Sequence, residues 1–134
     1  MTQRQSVNIA TDLSVLGNNN FNVNFNLRFA PDEMIVRAIN YPNKGDADVN
    51  KFGCQIATDI VDDQVIGLFS SGVTTSQGMN SHFHISRLGR LGTANFQIQY
   101  SPNTAQGCTG PGDSVEPSVQ GDLSFQLEFV KHNE

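Results

Sequence analysis

The sequence predicts an all-β protein, an antiparallel β-sandwich of about eight strands. From residue 21 to residue 29 every odd position is apolar and every even position is polar. Side chains on a strand point to alternate faces, so this run is typical of a strand with one buried face. Strand-like runs separated by turn-forming residues recur from end to end, and no helical periodicity lasts longer than a turn or two.

The first three predicted strands differ in the pattern that marks them. Val7–Ala10 and Leu13–Leu16 form a first, bulged strand that ends in the turn residues Gly17 to Asn20. The alternating run Phe21–Phe29 follows, and the Pro-Asp-Glu sequence at residues 31–33 ends it. Met34–Tyr41 is apolar on both faces around Arg37, which predicts a central strand.

Five further runs complete the predicted set. Four of them are short apolar or alternating segments between turn clusters: Phe52–Thr58, Val65–Ser70, His82–Leu88 and Asn95–Tyr100. The last run, Leu123–Val130, repeats the alternation of the second strand. Pro42–Asn50 is predicted to be an exposed loop, and residues 101–121, which hold three of the five prolines, form the one long connection.

We expect residues 1–134 to form a single jelly-roll-like domain. A chain of 134 residues can bury a core without covalent staples. Eight strands with a long connection near the end fit a jelly roll better than an immunoglobulin sandwich, which would have a buried tryptophan on its third strand, and this chain has no tryptophan.

Charge and composition exclude several classes of function. The net charge is −5 and the eight basic residues are scattered, which argues against nucleic acid binding. No apolar run approaches the ~20 residues of a membrane-spanning helix. The first residues lack the apolar stretch of a signal peptide, so we expect a chain that is not secreted, with Cys54 in the core and Cys108 in a loop as free thiols.

Amide side chains are unusually abundant. Asn and Gln number 24, against 21 charged residues. A surface of neutral hydrogen-bonding groups can be covered by another protein without the cost of desolvating charges. The composition therefore favours a subunit of a protein assembly.

No catalytic or cofactor motif is complete. His82 and His84 point to the same face of a strand, as at the start of a cupin metal site, but the Glu and the later Gly-Pro-Gly-His element of that site are missing. Asp46, Asp48 and Asn50 open like an EF-hand loop, but Lys51 and Ala57 occupy its obligatory Gly and Glu positions. We therefore expect no enzyme activity, no cofactor and no bound metal.

The segment from Phe29 to Tyr41, FAPDEMIVRAINY, resembles small β-rich virion proteins of virophages, polinton-like viruses and giant double-stranded DNA viruses. The resemblance implies a jelly-roll or tumour-necrosis-factor-like fold. It also implies a structural virion protein, made in the host cytoplasm and acting as a minor capsid, spike or vertex-associated subunit. The implied partners are further copies of the chain, with a trimer preferred, and other capsid proteins.

Two other functions remain open at this point. A carbohydrate-binding, lectin-like jelly roll, for example a receptor-binding head, would use Asn, Asp and aromatic side chains on a shallow site. A cupin-type metalloenzyme would use His82 and His84. For an assembly subunit, we expect Asn22, Asn24 and Asn26, together with His82 and His84, to lie at an interface.

Overall fold

The computed structural model describes residues 1–12, 18–40, 53–61, 64–70, 76–85, 87–100 and 122–132. These residues contain eight β-strands and one short 3-10 turn. The strands, in chain order, are β1 (Thr2–Asp12), β2 (Asn20–Asn26), β3 (Glu33–Asn40), β4 (Gly53–Thr58), β5 (Gln64–Ser70), β6 (Ser76–His84), β7 (Leu91–Tyr100) and β8 (Asp122–His132). The 3-10 turn, Asp59–Val61, follows β4.

The strands form two four-stranded antiparallel sheets. One sheet has the order β1-β8-β3-β6 and the other the order β2-β7-β4-β5. First pairs with last, second with seventh, third with sixth and fourth with fifth, as when one long hairpin is folded over twice. This strand order is that of a jelly roll, so the predicted all-β sandwich is confirmed.

Phenylalanine side chains fill the space between the two sheets. Phe96 of β7 is fully buried and stacks on Phe21 of β2 with ring centroids 5.7 Å apart. Phe96 also contacts Phe125 of the opposite sheet at 5.4 Å, and Phe25 meets Phe129 edge-on at 5.2 Å. The alternating runs of β2 and β8 therefore face each other across one hydrophobic core, as their patterns predict.

Strand β3 occupies the central position that its sequence predicts, between β8 and β6. Ile35 and Val36 are adjacent in sequence and point to opposite faces, yet each is only 1% exposed. A register shift between Val36 and Ala38 marks a β-bulge at Arg37. Alternation from Ile35 already places Arg37 on the outer face beside Glu128, and the extra residue of the bulge lets Ile39 face the core again.

Hydrogen bonds close the side of the sandwich where β1 lies next to β2. Thr11 donates to the carbonyl of Asn18, and Asn18 donates to the carbonyl of Asp12, each at 3.0 Å. Near the other end of β1, Arg28 donates to the carbonyl of Arg4 at 2.8 Å. These contacts satisfy part of an otherwise open strand edge, which would be prone to aggregation.

Four strands differ from the sequence prediction by three residues or more at one end or both. Strand β1 begins at Thr2 instead of Val7, β2 ends at Asn26 instead of Phe29, β6 covers Ser76–His84 instead of His82–Leu88, and β7 begins at Leu91 instead of Asn95. Ile85 is buried, as the pattern indicates, but its main-chain N–H bonds to Asp32 outside the sheet at 3.1 Å. Leu88, which the alternation would place on the outward face, is buried as well. Leu13–Leu16, the loop Pro42–Asn50, residues 101–121, Cys108 and the side chain of Cys54 lie outside the described part of the chain.

Candidate functional site

The sheet β2-β7-β4-β5 contains no charged residue. None of its four strands holds an Asp, Glu, Lys, Arg or His at any position, whereas every strand of the other sheet holds at least two. Cross-strand partners share a face, so the register gives the residues that point away from the core. We call these residues the neutral face: Asn20, Asn22, Asn24, Asn26, Gln55, Ala57, Val65, Leu68, Leu91, Thr93, Asn95 and Gln97.

Amide side chains on the neutral face hydrogen-bond to one another across the sheet. Asn95 of β7 donates to the side-chain oxygens of Asn20 at 2.8 Å and Asn22 at 3.0 Å. Thr93 donates to the side-chain oxygen of Asn24 at 2.7 Å. Asparagine is disfavoured in strands, and these side-chain bonds offset that preference by holding the amides in rows.

Exposed apolar side chains flank the amide rows. Leu68 on β5 is 55% exposed, Leu91 at the start of β7 is 61% exposed and Val65 on β5 is 40% exposed. Among the described residues, the chain has one other exposed large hydrophobic side chain, that of Met1. Among the described side chains of the strands, the exposed large hydrophobic ones therefore lie on the same face as the amides.

The end of β4 is completed by a carboxylate that bonds to the main chain. Asp59, in the 3-10 turn, accepts a hydrogen bond from the main-chain N–H of Asn95 at 3.0 Å. The last pair of residues that joins β4 to β7 is Thr58 with Phe96, and Asn95 lies one residue beyond this pair. Asp59 therefore replaces a ladder partner where the strand stops, and adds no strand residue to the neutral face.

The outer face of the sheet β1-β8-β3-β6 carries ion pairs. Glu128 of β8 accepts from Arg37 at 2.6 Å and from Arg4 at 3.0 Å, and Arg37 also donates to Asn80. The hydrogen bond from Arg37 holds the pKa of Glu128 below its usual range, while burial opposes this shift and Arg4 adds to it. We call this outer surface the charged face.

All three histidines of the chain lie at one corner of the charged face. They line a surface pocket of about 380 Å³ together with Asp32, Glu33 and Phe83, and we call this group the histidine corner. His82 Nδ1 lies 2.9 Å from Glu33 Oε2, and His132 Nε2 lies 3.1 Å from Glu33 Oε1. The hydrogen bond from His82 is the main cause of a lowered pKa of Glu33; burial acts against it, and His132 contributes further.

The structure places the predicted interface residues on two different faces. Asn22, Asn24 and Asn26 are exposed on the neutral face, and His82 and His84 are exposed on the charged face. Within the described residues no three His, Cys, Asp or Glu side chains converge to hold a metal ion. Over the same residues, no helix is long and apolar enough to cross a membrane.

Sequence reasoning missed His132, Asp32 and Glu33 as neighbours of His82. The pairing of β3 with both β6 and β8 brings these residues together, and no spacing along the chain indicates that pairing. It also missed Leu68, Leu91 and Asn95 as parts of the surface that holds Asn22 and Asn24. Four of the strands hold no charged residue, and this can be counted from the sequence. That these four strands form one sheet is known only from the strand pairing.

No protein-family model and no curated protein matches the sequence. Solved structures similar to it include the NLP core of Drosophila, described for pentamer formation and histone binding, at 11% identity and a TM-score of 0.49, covering 98% of this chain and 100% of that one. The prophage-derived protein YomS of SPBc2 matches at 9% identity and a TM-score of 0.30, covering 95% of this chain and 96% of that one.

A viral capsid protein is also among the similar structures. VP2 of infectious bursal disease virus, in a subviral particle, matches at 9% identity and a TM-score of 0.34. The match covers 96% of this chain and 32% of VP2, so the chain spans about a third of that protein.

Proposed function

We propose that this chain is a structural subunit of a virion, a minor capsid, spike or vertex-associated protein that acts through protein–protein contacts and not as an enzyme. The observation that carries the proposal is the segregation of charge, since the outer face of one sheet has ion pairs whereas the four strands of the other sheet hold no charged residue. The neutral face is the contact surface. Its first partner is another copy of the chain, with a trimer as the preferred assembly, and other capsid proteins are further partners.

The chemistry of the neutral face suits contact with a second copy. Each amide both donates and accepts hydrogen bonds, so amides on two identical faces can pair with each other. The net charge of −5 makes two copies repel, and contact through a face without charges keeps the carboxylates apart and hydrated. Leu68 and Leu91 would lose their exposed apolar area in such a contact, which is favourable.

The size of the neutral face limits the affinity of a single contact. A four-stranded sheet with strands of about seven residues presents roughly 450 Å². A stable protein–protein interface buries roughly 800 Å² on each partner. One neutral-face contact is therefore weak by itself, as expected for a subunit that an assembly holds by several contacts.

Two matched lysine substitutions test the proposal by sedimentation velocity over a range of protein concentrations. Asn24 is exposed on β2 in the neutral face, and Asn8 is exposed on β1 in the opposite sheet. Asn24→Lys would bury an unpaired ammonium in the contact, so we expect at least about tenfold weaker self-association. Asn8→Lys adds the same charge and should associate like the wild type.

Two outcomes would contradict the proposal. One is a wild-type chain that stays monomeric at the highest attainable concentration, alone and with a candidate major capsid protein. The other is equal weakening by Asn24→Lys and Asn8→Lys, which would show an effect of net charge and not of the neutral face.

The amide rows also suit a carbohydrate ligand, because sugar hydroxyls pair with side chains such as Asn22, Asn24 and Asn95. A glycan array separates this second candidate from the first. Binding of a glycan that Asn95→Ala abolishes would favour a lectin-like role, and an array without binding would remove it.

A further inference from the structure

The histidine corner joins the ends of three strands through one carboxylate. Glu33, the first residue of β3, is paired with His84 on β6 and Val130 on β8. His82 and His132 are the diagonal neighbours on those two strands, and both contact the Glu33 carboxylate. Glu33 therefore binds two of the three imidazoles of the chain and is paired in the sheet with the residue that carries the third, His84.

Asp32 ties the same corner together through its main chain and side chain. Its N–H donates to the carbonyl of Val130 at 2.9 Å, and its carbonyl accepts from Ile85 at 3.1 Å. Its Oδ2 accepts from the main-chain N–H of His132 at 3.1 Å, while its buried Oδ1 has no hydrogen-bond partner and lies 3.9 Å from His132 Nε2. A positively charged His132 would thus face two carboxylates.

The corner gathers every histidine of the chain. Histidine is the side chain whose charge ordinarily changes between about pH 5 and pH 8. With neutral imidazoles the corner has two negative charges from Asp32 and Glu33. With three charged imidazoles it has a net charge of +1, and it reaches +2 if Glu33 is also protonated.

The α-ammonium of Met1 also lies near the corner, since it precedes Thr2, which is paired with His132. The charged side chains that remain are engaged elsewhere or face away. On β1, Arg4 is paired with Val130 but binds Glu128 at 3.0 Å. On β8, Lys131 alternates to the opposite face from Val130 and His132. Beyond β6, Arg87 makes no ion pair with a described residue. Glu33 and Asp32 are therefore the only counter-charges for the imidazoles among the residues that the structure describes.

We propose that the histidine corner is an acid-sensitive latch, in which Glu33 holds the ends of β3, β6 and β8 together while it is ionised and releases them when it is protonated. While the Glu33 carboxylate is ionised, a positive charge on His82 or His132 is paired with it, and this pairing tightens the latch. When Glu33 itself takes up a proton, the corner loses the carboxylate that His82 and His132 share, and Asp32 beside His132 is the remaining counter-charge among the described residues.

The direction in which the pKa of Glu33 is shifted agrees with a latch that is closed while Glu33 is ionised and opens when Glu33 is protonated. The pKa of Glu33 lies below the ordinary value of 4.5, mainly because His82 hydrogen-bonds to the carboxylate. A lowered pKa in the folded state means that the stabilisation is complete above the ordinary pKa and is lost as the pH falls through the lowered one. The latch therefore stays closed in mild acid and opens in stronger acid.

Two matched Glu→Gln variants test the latch by urea unfolding at about pH 8 and about pH 5.5. Glu33→Gln removes the carboxylate that His82 and His132 share. The factor by which this substitution lowers the folding equilibrium constant should therefore be roughly three- to tenfold larger at the lower pH than at the higher pH. Glu128→Gln removes a carboxylate that pairs with Arg37 and Arg4, which stay charged throughout, so its loss should be the same at both pH values.

A loss from Glu33→Gln that does not depend on pH would overturn the proposal. If that variant does not fold, the double variant His82→Gln with His132→Gln gives the decisive comparison. The wild type should become more stable than the double variant as the pH falls from about 8 to about 5.5. Parallel pH profiles for the two proteins would show that the corner does not couple to protonation.

Discussion

Thr58 brings a hydroxyl into the core without a hydrogen-bond partner. Its side chain is 1% exposed at the end of β4, where it pairs with Phe96 and Gln64, and its Oγ1 has no partner. A buried hydroxyl that has lost its bonds to water without a replacement destabilises the folded state by roughly 1–3 kcal/mol. This single atom is a weak point in an otherwise apolar core.

Thr58→Val should therefore raise the free energy of unfolding by about 1 kcal/mol, because valine keeps the shape and removes the unpaired group. Urea unfolding at neutral pH measures the change. Thr11→Val is the matched control, since its hydroxyl donates to the carbonyl of Asn18, and it should lower the same quantity by about 1 kcal/mol. A Thr58→Val protein less stable than the wild type would show that the hydroxyl has a partner.

At the scale of the strands, hydrophobic alternation predicts burial better than it predicts pairing. It placed Phe25, Leu27, Phe125 and Phe129 in the core, where the structure has them. It misplaced β6, because Ile85 continues the alternation after the chain has left the sheet to bond with Asp32. Alternation reports which side chains face the core, whereas a strand ends where its main-chain bonds go elsewhere.

Pairing between distant strands is the part that the sequence does not show. The contacts of Glu33 with His82 and His132 depend on β3 lying between β6 and β8. The bond between Asn22 and Asn95 likewise depends on β2 lying beside β7. The amides and histidines could be selected as surface residues from their alternation, but their division between two faces follows from the jelly-roll topology alone.

The packing of β5 against β3 depends on a glycine. A Cβ on Gly67 would collide with Cδ1 of Ile39, which belongs to the opposite sheet and is fully buried. Gly67→Ala should therefore lower the free energy of unfolding by about 1–3 kcal/mol, since a close-packed core has little room to shift Ile39. Chemical denaturation measures this loss.

Gly78 on β6 provides the control for that substitution. A Cβ at this position would meet no atom within 4 Å, so Gly78→Ala should change stability by less than about 1 kcal/mol. Equal losses from the two variants would mean that backbone freedom, and not the approach of the two sheets, explains the glycine at position 67.

At the scale of the whole molecule, the two sheets divide the chemistry of the surface between them. The charged face holds the Arg4–Glu128–Arg37 ion pairs and the histidine corner. The neutral face holds rows of amides and the exposed Leu68 and Leu91. A protein that acts alone gains solubility from charges on all sides, whereas a subunit of an assembly needs one face that can be covered at low desolvation cost.

Hydrogen–deuterium exchange at low and high protein concentration tests this division most directly. If the neutral face is the contact surface, deuterium uptake in Asn20–Asn26 and Leu91–Tyr100 falls as concentration rises, while uptake in Thr2–Asp12 of the opposite sheet stays the same. Uptake that is independent of concentration throughout the chain, or a decrease confined to Thr2–Asp12, would contradict the assignment of the neutral face as the surface through which this protein assembles.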